Sequence, residues 1–403
     1  MKRFLLLFLW LILSFTIHGN VYFRHLGKAE GLPQVAVCDI CQDELGRMWF
    51  GTLEGLCCWD GNTMMTFEHF PVNTHSFLRQ AIFYVAADKQ GSIFFMSEYS
   101  LIRYNLYKHE FSRLKDRVGA LHVHGHDMWT ANGDSIFKWN REQEQLDFVY
   151  HSKLKKNITH INLDDNGRMW IGTNKGLYKT DNFGKAVCVI PEVNVYSLYR
   201  DSKSRIWVAA YRNGMYKVEY GIASKIAIPG DYVLSDEDIR NFIEDDQGNL
   251  WVATFSGLNR IDSLGQVTCY KKNKRPGGLS HSSIFPFYKD MQGTIWAGTY
   301  YGGANYFNPL LNEFTNYVEG SERSDLSFSF VGNMTEDKRG DLWICTEGGG
   351  LNCLNRNTHT ITHYLMGDDG QQAFSNLKSI EYDKTRDCLY IGTHKQGLII
   401  FDI

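Results

Sequence analysis

Proline is scarce, at 7 residues in 403. Neither sign of charge is in excess: 42 Lys+Arg face 45 Asp+Glu, for a formal net charge of -3. That balance gives no basic field to draw a phosphate backbone, which argues against a nucleic-acid partner. Beyond the first residues, no stretch is long and apolar enough to cross a bilayer. There is no nucleophile elbow, P-loop or zinc motif, and no cofactor is implied. Nine cysteines (38, 41, 57, 58, 188, 269, 345, 353 and 388) are odd in number and match no disulfide framework. What is abundant is glycine, at 37, and aromatics, at 14% with 10 Trp and 22 Tyr. That mixture suits short strands joined by tight turns and excludes a helical bundle or a collagen-like chain. A hydrophobic content of 43% is too high for a disordered chain.

The amino terminus indicates the compartment. Met1-Lys2-Arg3 is a short basic segment, and Phe4 to Ile17 is an almost unbroken apolar run of 14 residues. That is shorter than the roughly 18–20 residues needed to span a bilayer, so it reads as a signal peptide cleaved near Gly19. No cysteine precedes Cys38, which argues against a lipid anchor. The mature chain is expected in the periplasm. Cys38-Asp-Ile-Cys41 has CxxC spacing, but on a strand positions i and i+3 face opposite ways and cannot share a metal. Most cysteines read as buried small hydrophobes.

A repeat organises the rest. Asp43-Glu-Leu-Gly46-Arg-Met-Trp49-Phe-Gly51-Thr52 recurs from Asp165 to Thr173, Asp245 to Thr254, Asp290 to Thr299 and Asp337 to Thr346. Weaker copies centre on Phe94, Trp129, Trp207 and Tyr390, so successive aromatic anchors lie 45, 35, 41, 37, 44, 45, 47 and 47 residues apart. That period is the length of a four-stranded propeller blade. Each Asp reads as accepting hairpin-turn amides, and the Gly three residues on as taking a positive φ. Trp and the small residue two positions later share a strand face, letting neighbouring sheets interlock.

The fold expected is all-β: a seven-bladed propeller of four-stranded antiparallel blades, followed by two blades of an incomplete second propeller. Residues 1–19 are the signal peptide, 20–310 the ring and 311–403 the two further blades. Seven units end near Phe307, and Val21-Tyr-Phe-Arg is a candidate closing strand for the seventh. Segments such as Phe314-Thr-Asn-Tyr317 read as fourth strands. Because nine units do not fit one ring, the chain is expected to be a piece of something longer.

The unit D-x-x-G-x-x-W-[IV]-[GA]-T-x-x-G-L resembles the two-component regulator propeller repeat, over about residues 21–403. Such repeats form the periplasmic sensor region of hybrid two-component sensors in glycan-foraging Bacteroidetes. The resemblance implies two seven-bladed propellers, a β-sandwich, one membrane helix and a histidine kinase. Only the first of these is represented here, so the resemblance implies the sensing half. It also implies an oligosaccharide or other small periplasmic ligand, with a homodimer as one possible assembly. The membrane would enter only through a C-terminal part that this sequence does not contain.

In a propeller, turns between second and third strands crowd one channel mouth, beside the loops leading into the innermost strands. The candidate ligand-binding residues there are Glu54, Tyr99, Tyr211, Arg212, Arg240, Phe255, Tyr300 and Tyr301. Sugars offer apolar faces to aromatic rings and hydroxyls to charged or amide groups. Glu98, Asn174, Lys175, Asn241, Ser256, His281, Glu347 and His394 complete the wider set. His122-Val-His124-Gly-His126 could place two imidazoles on one face, yet it must also turn before Trp129; it is read as a solvated turn, with no metal assigned. Asp-x-Gly-x-x-Trp at Asp165 and Asp246 also resembles the Asp-box of sialidases. A retaining glycosidase needs a placed carboxylate pair, and none is recognisable. An exported glycosidase or lyase, and a non-catalytic protein-interaction propeller, are the alternatives.

Overall fold

The computed structural model describes residues 21–67, 80–164, 166–181, 184–227, 232–275, 277–311, 316–321, 323–365 and 375–403. The signal-peptide segment and Asp165 lie outside these residues. Apart from a 3-10 turn at Lys28–Glu30, the regular structure described is all β-strand. It divides into two compact units, residues 21–313 and 314–403.

In the first unit, seven four-stranded antiparallel sheets follow one another. Their first strands are Val37–Gln42, Ile82–Ala87, Ala120–His124, Ile158–Leu163, Val195–Arg200, Ile239–Glu244 and Ile284–Lys289. Each packs beside the next, and the last returns to the first, so the sheets close into a ring of blades around a channel. Blades one to six each use four consecutive strands. Blade seven takes three from Ile284–Lys289, Ile295–Thr299 and Ala304–Phe307, and its outer strand is Arg24–Leu26, with Arg24 opposite Tyr306. The closing strand thus lies slightly downstream of the expected Val21-Tyr-Phe-Arg. Phe23 instead packs edge-on against Tyr270 and Phe307. Of the expected fourth strand Phe314-Thr-Asn-Tyr317, the first two residues lie outside the described residues, and Tyr317 belongs to no strand.

The turn between first and second strands explains the repeat. In blade one the Asp43 carboxylate accepts the amides of Leu45 and Arg47 through Oδ1, and the Trp49 indole N–H through Oδ2 at 2.9 Å. Gly46 completes the turn at φ 83°. The same Asp-to-indole bond recurs at Asp201–Trp207, Asp245–Trp251 and Asp290–Trp296, each at 2.8 Å. In blade four the turn is made one residue earlier than the sequence suggested: Asp164 accepts the Asn166 and Arg168 amides. Blade two has Phe94 in place of Trp, and its Asp88 carboxylate takes Arg141 of blade three at 3.1 Å instead. Blade three has no equivalent Asp, and its Trp129 indole N–H is buried without a partner.

Close packing between blades follows from the small residue after each Trp. A Cβ at Gly51 would stand 2.6 Å from the Ile82 carbonyl oxygen of the next blade. One at Gly172 would stand 2.7 Å from Val195. Any side chain there forces the sheets apart.

The second unit holds one four-stranded sheet, starting at Val331–Glu336, and one of three strands, Leu377–Asp383, Cys388–Thr393 and Leu398–Asp402. Trp343, Cys345, Leu351, Leu377, Ile380, Leu389 and Ile391 form its core. Asp337 again accepts the Trp343 indole N–H, at 3.0 Å. None of the nine cysteines is in a disulfide; Cys188 and Cys269 are exposed and the other seven are buried or half-buried.

Replacing Asp245 by Ala leaves the Gln247 and Asn249 amides and the buried Trp251 N–H unmet. The Asp245→Ala variant should lose about 3 kcal/mol or more of stability, read by urea denaturation. Asp245→Asn, which retains one acceptor, should lose less.

Candidate functional site at the channel mouth

Every innermost strand of the ring opens with a buried aliphatic residue: Val37, Ile82, Ala120, Ile158, Val195, Ile239 or Ile284. In six of the seven the register against the second strand then slips, between Val37 and Asp39, Ile82 and Tyr84, Ile158 and His160, Val195 and Ser197, Ile239 and Asn241, and Ile284 and Phe287. Such a bulge inserts an unpaired residue and re-aims its side chain. The residues so placed are Cys38, Phe83, Thr159, Tyr196 and Arg240, with Phe285-Pro286 in blade seven. Tyr196 of blade five lies near enough to Cys38 and Tyr84, on blades one and two, for their charges to bear on one another. The mouth is therefore narrow.

On blades five to seven these residues join the second-to-third-strand turns in an aromatic crescent. Tyr196 lies nearly parallel to Tyr211, centroids 6.1 Å apart, and meets Phe285 at 6.3 Å. The Arg240 guanidinium lies against two rings, with Cζ 5.0 Å from the Phe255 centroid and 4.5 Å from that of Phe285. It also reaches Asp238 at 3.4 Å. Arg212 stacks over Tyr211 at 5.2 Å. On blade seven, Tyr300 and Tyr301 meet edge-on at 4.3 Å, and His281 joins Tyr301 at 6.1 Å. A cleft of about 530 Å³ runs beside the crescent, lined by Arg212, Asn213, Lys225, Glu237 and Asp238 among others.

The loops that carry Asp236–Asp238 and His281 are clamped. Ser235 donates its amide to the Asn259 Oδ1 at 2.8 Å and accepts the Asn259 amide group at 2.9 Å. Ser280 and Asn305 repeat this at 3.0 and 2.7 Å, and both Asn side chains are fully buried. Thr254 and Thr299 close the facing turns by donating to the Gly257 and Gly303 carbonyls. The mouth is thus largely formed before any ligand arrives.

Of the candidate residues, Tyr211, Arg212, Arg240 and Phe255 come together, and Tyr300 and Tyr301 form a neighbouring pair. Glu54 and Tyr99 do not join them. Glu54 stands on blade one, held by Gln34 at 3.0 Å. Tyr99 stands on blade two, 77% exposed, at a φ of 133° that is rare for a bulky residue. Ser256 donates to Asp236, and Glu347 pairs with Lys378 in the second unit. Sequence reasoning missed Tyr196 and Phe285. Their signal is position: each directly follows the buried aliphatic residue that opens an innermost strand. Asn259 and Asn305 were missed too, although Leu-Ser in the loop and Asn in the third strand recur together.

Below the mouth, the channel wall carries titratable groups. Burial pushes the Asp39 carboxyl up to about 7, against the two backbone amides, Ile40 and Val85, that its oxygens accept. Burial pushes His122 and His160 down to about 4, so both are neutral at ordinary pH. His126 lies in the turn, its ring against the Asp88 carbonyl. Among the described residues, no three His, Cys, Asp or Glu side chains are grouped as a metal would need.

A closed ring of antiparallel blades, with loops gathered at one mouth, makes this a β-propeller with a preformed rim. Four segments, 31–54, 153–175, 233–256 and 325–348, match the Two component regulator propeller family model. The extracellular domain of the hybrid two component system BT3049 from B. thetaiotaomicron superposes with a TM-score of 0.74 at 20% identity, over 95% of this chain and 53% of that one. The corresponding BT4673 domain gives 0.60 at 18% identity, over 95% and 58%. A streptogramin B lyase shares the fold at a TM-score of 0.54 and 15% identity, over 71% of this chain and 97% of that one. Histidine kinase P4 of Formosa agariphila is 35% identical over 72 residues, 18% of this chain and 5% of that protein. The chain spans about half the length of the two extracellular domains and a small part of the kinase. In repeat and in fold it resembles the extracellular regions of hybrid two-component systems. No helix among the described residues is long and apolar enough to cross a membrane.

Asn305→Ala should cost about 1–3 kcal/mol in thermal or urea unfolding, since it strands a buried loop amide. Asp39 supplies a pH test. Its folded pKa lies above the unfolded value of 3.8, so the folded chain holds the proton more tightly. That contribution is complete below about pH 4 and lost as pH rises to about 7. Asp39→Asn should therefore gain on the wild type steadily between those limits, measured as the difference in melting temperature.

Proposed function

We propose that this chain is the ligand-sensing propeller region of an exported two-component sensor and that its ligand is an oligosaccharide. The observation that supports this most is the crescent of Tyr196, Tyr211, Phe285, Tyr300 and Tyr301, beside Arg212 and Arg240. Flat rings cover the apolar faces of a sugar, and the charged edges beside them meet its hydroxyls. The propeller repeats and the likeness to extracellular domains of hybrid systems support the sensor role. The basic start and apolar run at the amino terminus support export.

A hydrolytic role has less behind it. The repeated aspartates are committed to turn amides and indole N–H groups, as scaffold. Asp246, in the register that resembles a sialidase Asp-box, pairs with Lys289 at 2.9 Å. Its neighbour Asp245 makes the turn instead.

Calorimetry of the purified chain against a set of oligosaccharides should show binding, and chromatography should recover the sugar unchanged. Cleavage products would refute the sensor reading. The Tyr300→Ala, Tyr301→Ala double variant should lose binding with its melting temperature nearly unchanged. An equal loss of both would mark the pair as core.

A further inference from the structure

We propose that the ligand of this mouth is acidic: a carboxylate or sulfate carried on a sugar, received by the guanidinium edges of Arg240 and Arg212. This rests on the oligosaccharide reading of the same site and narrows it.

The inference comes from which hydrogen-bonding capacity is already used. On the acidic side several groups already have partners. Asp236 accepts the Asp238 amide at 2.9 Å and the Ser256 hydroxyl. Asp238 faces Arg240. Glu54 on blade one and Glu98 on blade two are held by the Gln34 and Gln80 amides at 3.0 and 2.7 Å.

On the basic side the donors are largely open. A guanidinium has five N–H groups. Arg240 uses one, at 3.4 Å to Asp238, near the long limit of a hydrogen bond. Its Nε is enclosed without a partner. Phe255 and Phe285 pack against it, and its N–H groups point outward in the guanidinium plane. Arg212 makes no ion pair among the described residues and lies over Tyr211 in the left-handed region, at φ 52°. In the adjoining cleft, Arg212 and Lys225 face Glu237 and Asp238, two groups of each sign.

A site with spare guanidinium N–H groups suits an acceptor-rich ligand. The planar fork of a guanidinium matches the paired oxygens of a carboxylate or sulfate. A neutral sugar could stack on the rings but would meet those N–H groups only through its hydroxyls.

The test is calorimetry on the whole chain with matched pairs: an oligogalacturonide against its methyl ester, and a sulfated oligosaccharide against its desulfated form. One acidic member should bind at least about tenfold more tightly than its neutral counterpart, and raised salt should narrow the gap. Which pair responds identifies the anion. Arg240→Lys, which keeps the charge but loses the fork, should lose about tenfold for the acidic sugar. Should that variant melt early, Arg212→Gln serves in its place and should also shrink the acidic preference. Equal binding of both members of each pair, or an undiminished preference in a stably folded variant, overturns the proposal and leaves the oligosaccharide reading standing. Binding by no sugar overturns both.

Discussion

A buried carboxylate governs this architecture. In each well-formed blade one aspartate satisfies two turn amides and, in most, the indole N–H of a tryptophan six residues on. The bond fixes the hairpin and also the direction in which the largest side chain of the second strand points. With the indole anchored at the turn, the small residue two positions later is brought against the next blade. A side chain of glycine or alanine size at this position, present in six of the seven blades, lets the next innermost strand approach closely; blade two carries Met96 there.

The blades that depart from the rule show what it contributes. Blade two, with Phe94, has no indole to satisfy Asp88, and Arg141 reaches across from blade three to replace it. Blade four keeps the turn but hands the second carboxylate oxygen to Arg168 and Lys179. Blade three has lost the aspartate and leaves the Trp129 N–H unmet. The ring tolerates these defects because each blade is held on both sides by neighbours and the outer strand Arg24–Leu26 locks the seventh. A closed ring spreads a local deficit that an isolated hairpin could not survive.

The proposed site lies where the regular pattern breaks. The bulge near the start of most innermost strands turns one side chain out of the alternation, and so brings Tyr196 and Arg240 to the mouth with Phe285 beside them. The Ser–Asn clamps fix the loops beside them. A rim so held can read a ligand without first paying to order itself. Asymmetry matters as well: the aromatic and basic groups gather on blades five to seven, while blades one and two present glutamates already satisfied by glutamines. The mouth therefore has a direction, which a carbohydrate chain lying across it could follow.

Much of this was legible in the sequence because the forces behind it are local. The Asp, Gly, Trp and small-residue spacing belongs to one hairpin, and it recurs often enough to reveal the blade, the ring and the end that carries the loops. Tyr211, Arg212, Phe255 and Arg240 could be named from their places in that unit. The turn at Asp164 was legible too: it stands three residues before Gly167 and six before Trp170, a spacing that the adjacent Asp165 does not have. Tyr196 and Phe285 were hidden: a one-residue bulge reverses which way a strand residue faces, and its register depends on the partner strand. Glu54 and Tyr99 fit the local pattern equally well, yet they stand on blades one and two, apart from the crescent. The sequence by itself determined the repeating blade, because turn chemistry and strand alternation act within a few residues. Only the tertiary structure decided which side chains meet at the axis and which strand closes the ring, because both depend on contacts between blades far apart in the chain.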